Sequence, residues 1–210
     1  MLAKVWLGGE GTCELGGRAD DSDRPGVIEK LLLRIEPSGW HIVGARQWKY
    51  IRKYRARAAL DRGENHGDIR NVLGLALEAS ENACEVLAFV RDTDADTERA
   101  DALAVGIHQA TTLFTTIRII GGPAKPAIEG WILALVGVGR TDEMSRARTL
   151  TELAAKQIDE KSPEAYVEVV DAADLETLPH GCESLVNWLT LGRAVRAQVI
   201  RGTPPTRDGG

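Results

Sequence analysis

Short apolar runs alternate along the chain with longer stretches in which apolar residues recur every three or four positions. The runs read as strands and the periodic stretches as helices. Residues 3–7 (Ala-Lys-Val-Trp-Leu) form a first strand that ends in Gly8-Gly9. Asp20 to Pro25 is turn-like, Pro25 suits the first turn of a helix, and Val27, Leu31, Leu32 and Ile35 follow at helical spacing. Ile42 and Val43 mark a second strand. A polar loop from Asp61 to Asp68 enters a helix that carries Ile69, Val72, Leu73 and Leu75 and ends near Asn82. Residues 85–90 read as a buried strand, because Val86-Leu87-Ala88-Phe89-Val90 is apolar throughout. That strand breaks off in Arg91-Asp92-Thr93-Asp94-Ala95-Asp96. A helix over about 97–110 precedes a β-branched strand at 115–120, closed by Gly121-Gly122-Pro123. A short helix then carries Ile128, Glu129, Trp131 and Ile132, and further helices cover 144–158, 163–169 and 182–192.

Strands alternating with helices predict an α/β fold: a small parallel or mixed sheet with helices on both faces, followed by a mostly helical C-terminal elaboration. The expected organisation is an α/β core over 1–140 with a basic insertion around 46–62, a helical extension over 141–200 packed on the core, and a flexible tail over 201–210. At 210 residues, 43% hydrophobic and 27% charged, the chain has the balance of a globular protein. No apolar stretch is long enough to span a bilayer, and the N-terminal residues lack the apolar core of a secretory signal. Cys13, Cys84 and Cys182 are scattered and odd in number, which speaks against a disulfide framework or thiolate zinc site and points to a cytoplasmic setting. They read as buried small hydrophobes. His41, His66, His108 and His180 show no metal spacing, and Trp131 and Trp188 read as packing residues.

The net charge of −5 excludes a wholly basic nucleic-acid coat but not a local basic surface. Such a surface is offered by Arg46, Lys49, Arg52, Lys53, Arg55 and Arg57, with no acid among them. Arg46, Lys49, Arg52, Lys53 and Arg57 are the candidate phosphate contacts, and Trp48, Tyr50 or Tyr54 could stack on bases. On a helix, 49, 53 and 57 would share one face. The alternative is a solvated helix whose aromatics pack inward.

Acidic residues cluster where strands end: Glu10 with Glu14, Asp92 with Asp94 and Asp96, and Glu129. In open α/β sheets, loops at the carboxyl ends of strands converge on one crevice. Carboxylates gathered there would raise one another's pKa unless cations intervened, and hard oxygen ligands are what Mg²⁺ or Mn²⁺ prefers. The alternative is that Asp92 to Asp96 is a helix N-terminus whose acids cap and favour the dipole. Gly8-Gly9-Glu10-Gly11 lacks the lysine of a P-loop and the full dinucleotide glycine pattern.

Val5-Trp6-Leu7-Gly8-Gly9-Glu10-Gly11-Thr12-Cys13-Glu14 resembles the first motif of Toprim domains, a strand followed by a glutamate in a glycine-bearing turn. Phe89-Val90-Arg91-Asp92-Thr93-Asp94 resembles their second motif, a hydrophobic strand ending in Asp-x-Asp. Pro126-Ala127-Ile128-Glu129-Gly130-Trp131 and the later Cys182-Glu183-Ser184-Leu185-Val186-Asn187-Trp188-Leu189 look like features of small Toprim-like proteins related to nucleases of the overcoming-lysogenization-defect type. The matches reach from about residue 3 to 192.

The resemblance implies a Rossmann-like sheet whose acids bind Mg²⁺ (or Mn²⁺). Glu10 would be general base or metal ligand, Asp92 and Asp94 would bind metal, and Glu14 and Glu129 would be supporting ligands. Lys125, close to Glu129 in sequence, is the candidate for the late catalytic lysine of these nucleases, which no residue matches by motif. The implied activity is Mg²⁺-dependent cleavage of nucleic-acid phosphodiester bonds, in a phage-defence or mobile-element system and with a possible separate ATPase partner. The alternative is a non-catalytic Toprim-like regulatory or partner-binding subunit.

Overall fold

The computed structural model describes residues 2–19, 24–52, 67–94, 96–160 and 162–202. Among them, four strands pair in parallel in the order β2-β1-β3-β4. They are β1 (Ala3–Gly9), β2 (Trp40–Gln47), β3 (Val86–Asp92) and β4 (Arg118–Ala124). Eight helices accompany them: α1 (Thr12–Leu15), α2 (Val27–Ile35), α3 (Gly67–Glu81), α4 (Thr97–Leu113), α5 (Ile128–Leu135), α6 (Arg146–Ala155), α7 (Pro163–Ala172) and α8 (Glu183–Arg201). The fold is thus α/β, with the mixed-sheet alternative settled as all parallel.

Side chains alternate across the sheet and divide the core into two layers. Val5, Leu7, Val86, Ala88 and Ile120 face one layer, where they pack with α2, α5 and α8. Trp6, Leu87 and Phe89 face the other, against α3 and α4. The run Val86 to Val90 is buried on both faces, which explains why it shows no alternation. Helix α5 is buried over its whole length and closes the first layer under Trp131 and Trp188, whose ring centroids lie 5.9 Å apart. The indole N–H of Trp131 donates to Ser184 Oγ at 2.8 Å, and that of Trp188 donates to the Phe89 carbonyl at 3.1 Å. The same hydrophobic cluster contains Leu153, Tyr166, Val170, Leu185 and Leu189, so the helices after residue 141 share the core of the sheet.

The last strand corrects the sequence reading. It begins at Arg118 and runs through Gly121-Gly122-Pro123 instead of closing there. A Cβ at Gly121 would lie 2.1 Å from Phe89 Cε1, so the glycine admits the aromatic ring beneath the strand. As an edge strand, β4 also tolerates Pro123. Lys49 lies in a single 3-10 turn (Trp48–Tyr50), and Lys53, Tyr54, Arg55 and Arg57 fall outside the described residues, as do His66 and the tail from 203.

The strand order fixes where a site can form. The connection after β1 leads outward to β2, and the one after β3 leads the other way to β4. The crevice at the carboxyl ends of β1 and β3 is therefore the topological switch point.

Candidate functional site

Glu10 follows β1 directly at this switch point, and Asp92 is the last residue of β3. Glu14 comes from α1, which folds back over the end of β1. That return needs a glycine, because a Cβ on Gly9 would stand 2.7 Å from Glu14 Cβ. Glu14 Oε2 accepts the Gly11 N–H at 2.9 Å, which caps the short helix and holds the carboxylate in place. Asp92 Oδ1 accepts the Ile128 N–H at 2.9 Å, which ties β3 to the first turn of α5. The next residue of that turn is Glu129.

Glu14, Asp92 and Glu129 are all buried, with 5%, 5% and 7% of their surface exposed. Burial pushes the Asp92 carboxyl up to about 8, and the charges of Glu14, Glu10 and Glu129 add to the shift. Burial likewise raises Glu14 to about 7 against the lowering effect of its backbone hydrogen bonds, with Glu10 and Glu129 contributing. These mutual effects show that the four carboxylates share one electrostatic environment. Glu129 Oε2 is buried with no hydrogen-bond partner among the described residues. Cys13, on the same short helix, is pushed up to about 12 by burial and then by Glu14, Glu129 and Asp92, so it is a poor nucleophile.

A chain of alternating charges borders this cluster. Arg91 pairs with Glu10 and lies 3.6 Å from Asp68. Arg99 reaches Asp68 at 3.5 Å and Asp94 at 3.0 Å, and donates to the Asp92 carbonyl at 2.9 Å. Arg146, the first residue of α6, reaches Asp94 at 2.6 Å and Asp92 at 3.9 Å. Desolvation alone would raise the Asp94 carboxyl, but its bonds to Arg146 and Arg99 outweigh that and hold it below its ordinary value. Asp96 caps α4 by accepting the Arg99 N–H at 3.2 Å, so the capping interpretation holds for Asp96. It does not hold for Asp92, which points away from α4 to α5.

The structure thus brings Glu10, Glu14, Asp92 and Glu129 together and engages Asp94 with guanidinium groups. Lys125 is exposed, and the four carboxylates do not line its pocket. It lines a pocket of about 340 Å³ with Thr93, Asp96, Asp101 and Asp142, and its charge is felt at Asp142. No ion pair or hydrogen bond joins it to Glu129 among the described residues.

In the basic segment, Arg46 pairs with Glu78 at 2.9 Å and Arg52 with Glu81 at 2.7 Å, while Lys49 lies over the exposed ring of Tyr50. Trp48 is buried. Its indole N–H donates to Asp68 Oδ1 at 2.9 Å, and its ring packs against Phe89 and beneath the Arg91 guanidinium. It therefore supports the charge chain from below and is not free to stack on a base. Asp68, Arg91, Arg99 and Arg146 went unseen in the sequence. Only the place of Arg91 and Arg99 beside the Asp-x-Asp motif gave a signal, and Arg146 gave none.

The donor chemistry fits a hard divalent cation: carboxylate oxygens outnumber the guanidiniums, and one buried oxygen has no partner. Among the described residues, no group of three or more His, Cys, Asp or Glu stands in ready ligand geometry. Likewise, no described helix is long and apolar enough to cross a membrane. Comparisons with protein-family models, with curated proteins and with solved structures each find no match.

Proposed function

We propose that the protein is a Mg²⁺-dependent phosphodiesterase acting on nucleic acid. The observation that carries this reading is the convergence of buried Glu14, Asp92 and Glu129 with Glu10 at the switch point between β1 and β3. Buried carboxylates left without enough counter-charge are costly, and a divalent cation is the ligand that would relieve them. Glu10, Glu14, Asp92 and Glu129 would hold it. When bound, Mg²⁺ lowers the pKa of water and offsets charge gathering on phosphoryl oxygens.

The residues around it have distinct parts to play. Asp92 Oδ1 is committed to the Ile128 N–H, and Oδ2 lies 3.9 Å from the Arg146 guanidinium. Glu10 is the most open of the four carboxylates and is oriented by Arg91, which makes it the one placed to accept a proton from the attacking water. Arg91 is in turn held by Asp68 and covered by Trp48. Lys49 and Tyr50 are exposed and free to meet a polymer. A separate ATPase partner and a place in phage defence or a mobile element rest on the sequence resemblance alone.

One observation favours the non-catalytic alternative. Two of the motif acids, Glu10 and Asp94, already have guanidinium partners, and no ion pair joins Lys125 to Glu129 among the described residues. The experiment that separates the two is Mg²⁺ and Mn²⁺ titration calorimetry on the parent, E10A and D92A, with cleavage assays on single- and double-stranded DNA and RNA. Binding lost in both variants, with cleavage lost alongside, supports the hydrolase. Binding without cleavage supports a metal-holding partner subunit. No binding removes the metal site.

A further inference from the structure

The three arginines of the charge chain are not equivalent. Arg91 is enclosed by Glu10, Asp68 and the face of Trp48, and its side chain is 16% exposed. Arg99 is held at once by the Asp92 carbonyl, Asp94 and Asp68, and its side chain is 20% exposed. Each is screened from solvent and engaged by two or more groups of the chain at once. Arg146 is the most open of the three. Its side chain is 49% exposed, and its close partner Asp94 is itself 44% exposed and keeps Arg99 if Arg146 departs. An ion pair so open to water holds its members weakly. Arg146 Nη1 also stands 3.9 Å from Asp92 Oδ2, which places it beside the carboxylate cluster.

We propose that Arg146 is the phosphate-binding side chain of this site, resting on Asp94 in the free protein and transferring its guanidinium to a phosphate oxygen when a phosphodiester enters. The proposal rests on the reading of the carboxylate cluster as a divalent-cation site. Without a cation, the surrounding acids would repel a phosphate. With one, the planar guanidinium fork matches two phosphate oxygens, which an ammonium group cannot do. Arg146 is supplied by α6, beyond the sheet and its crossovers, so the helical segment after residue 141 contributes to the site as well as to the core. Ser145 Oγ accepts the Arg148 N–H at 3.3 Å and fixes the start of α6, so the arm projects from a defined point.

The test uses the full chain and inorganic phosphate. Mg²⁺ binding is measured by calorimetry for the parent, R146Q, R146K and the control R148Q, and phosphate is then titrated at saturating Mg²⁺. Arg148 is exposed on the same helix and lies outside the charge chain. The expected result is Mg²⁺ binding retained or tightened in R146Q, since a competing positive charge is removed. Phosphate binding should weaken by about tenfold or more in R146Q, the loss of a charge-assisted hydrogen bond. R146K should recover part of it, and R148Q should match the parent. Parent-like phosphate affinity in R146Q, or no phosphate binding by the Mg²⁺-loaded parent, overturns the role of Arg146 and leaves the cation site standing. Absence of Mg²⁺ binding in the parent overturns the cation site, and the role of Arg146 with it.

Discussion

Asp92 and Ile128 are joined by a 2.9 Å hydrogen bond from the Ile128 N–H to Oδ1, while Oδ2 of the same carboxyl group lies 3.9 Å from the Arg146 guanidinium. One side chain therefore fastens β3 to α5 and also contributes charge to the site. The two roles separate by substitution. D92A strips the acceptor from a buried N–H, which costs about 1–3 kcal/mol. D92N keeps an oxygen for Ile128 and cannot ionise, so its metal-free stability should be close to the parent's at pH 7, where the raised carboxyl is mostly protonated. Both should lose Mg²⁺ binding. Urea denaturation at pH 7 with calorimetry reads out both effects. Equal destabilisation by the two variants would mean that the Ile128 bond does not matter.

The raised carboxyls of Asp92 and Glu14 set a pH dependence. Their values of about 8 and about 7 lie above those of the unfolded chain. Between roughly pH 4 and 8 the folded protein therefore binds more protons than the unfolded one, so stability falls as pH rises through that window. This contribution is fully present below about pH 4 and is lost above about pH 8. Denaturation midpoints should drop from pH 5.5 to 8 in chelator, and D92N should flatten the slope. Mg²⁺ should also reduce the drop, because it favours the ionised forms in the folded state. A midpoint that rises with pH in chelator would contradict the burial of these groups.

Trp48 makes the basic segment part of the fold. W48F removes the indole donor to Asp68 and much of the ring cover beneath Arg91. The expected cost is about 1–3 kcal/mol, the range for losing one hydrogen bond to a charged group, with Asp68 still held by Arg91 and Arg99. Affinity for single-stranded oligonucleotide should change less than twofold, whereas Y50A, which alters an exposed ring, should affect binding without affecting stability. Fluorescence anisotropy and denaturation of the two variants provide the comparison. A large affinity loss in W48F at unchanged stability would restore the stacking role.

These residues also show what a sequence can disclose. The strand Val86–Asp92 and the helix Val27–Ile35 were legible because burial on two faces and burial on one leave different periodicities. The extent of β4 was not, because Gly121-Gly122-Pro123 has the composition of a turn. Only the Phe89 ring beneath Gly121 and the edge position of the strand explain its extended form. Glu10, Glu14, Asp92 and Glu129 were legible as a set because strand ends in an α/β sheet converge. Their counter-charges were not. Arg146 meets Asp94 across 52 positions and Arg91 meets Glu10 across 81, separations that no local pattern encodes. The inward turn of Trp48 was equally hidden, since an indole among arginines reads the same whether it faces a base or a core aspartate.

Glu129 provides the sharpest test of what the cluster is for. Helix α5 is otherwise wholly apolar, with Trp131, Ile132 and Leu133 around this one carboxylate, and Oε2 is buried without a hydrogen-bond partner. In a protein selected only for stability, such a group is a net cost, because a buried polar oxygen without a hydrogen-bond partner carries its full desolvation penalty. E129Q removes the charge, keeps the shape, and supplies an amide donor to the neighbouring carboxylates. The metal-free variant should be more stable than the parent by about 1 kcal/mol or more, the worth of one charge-assisted hydrogen bond. If the cluster is a cation site, the same substitution should weaken Mg²⁺ binding by about tenfold, so the stability gain from added Mg²⁺ should be larger for the parent than for the variant. Thermal denaturation of both proteins, in chelator and in Mg²⁺, gives four midpoints that decide the matter. A crossing of the order between chelator and Mg²⁺ identifies Glu129 as a residue kept for binding, whereas a parallel shift of both proteins, or none, assigns its charge no part in holding the cation.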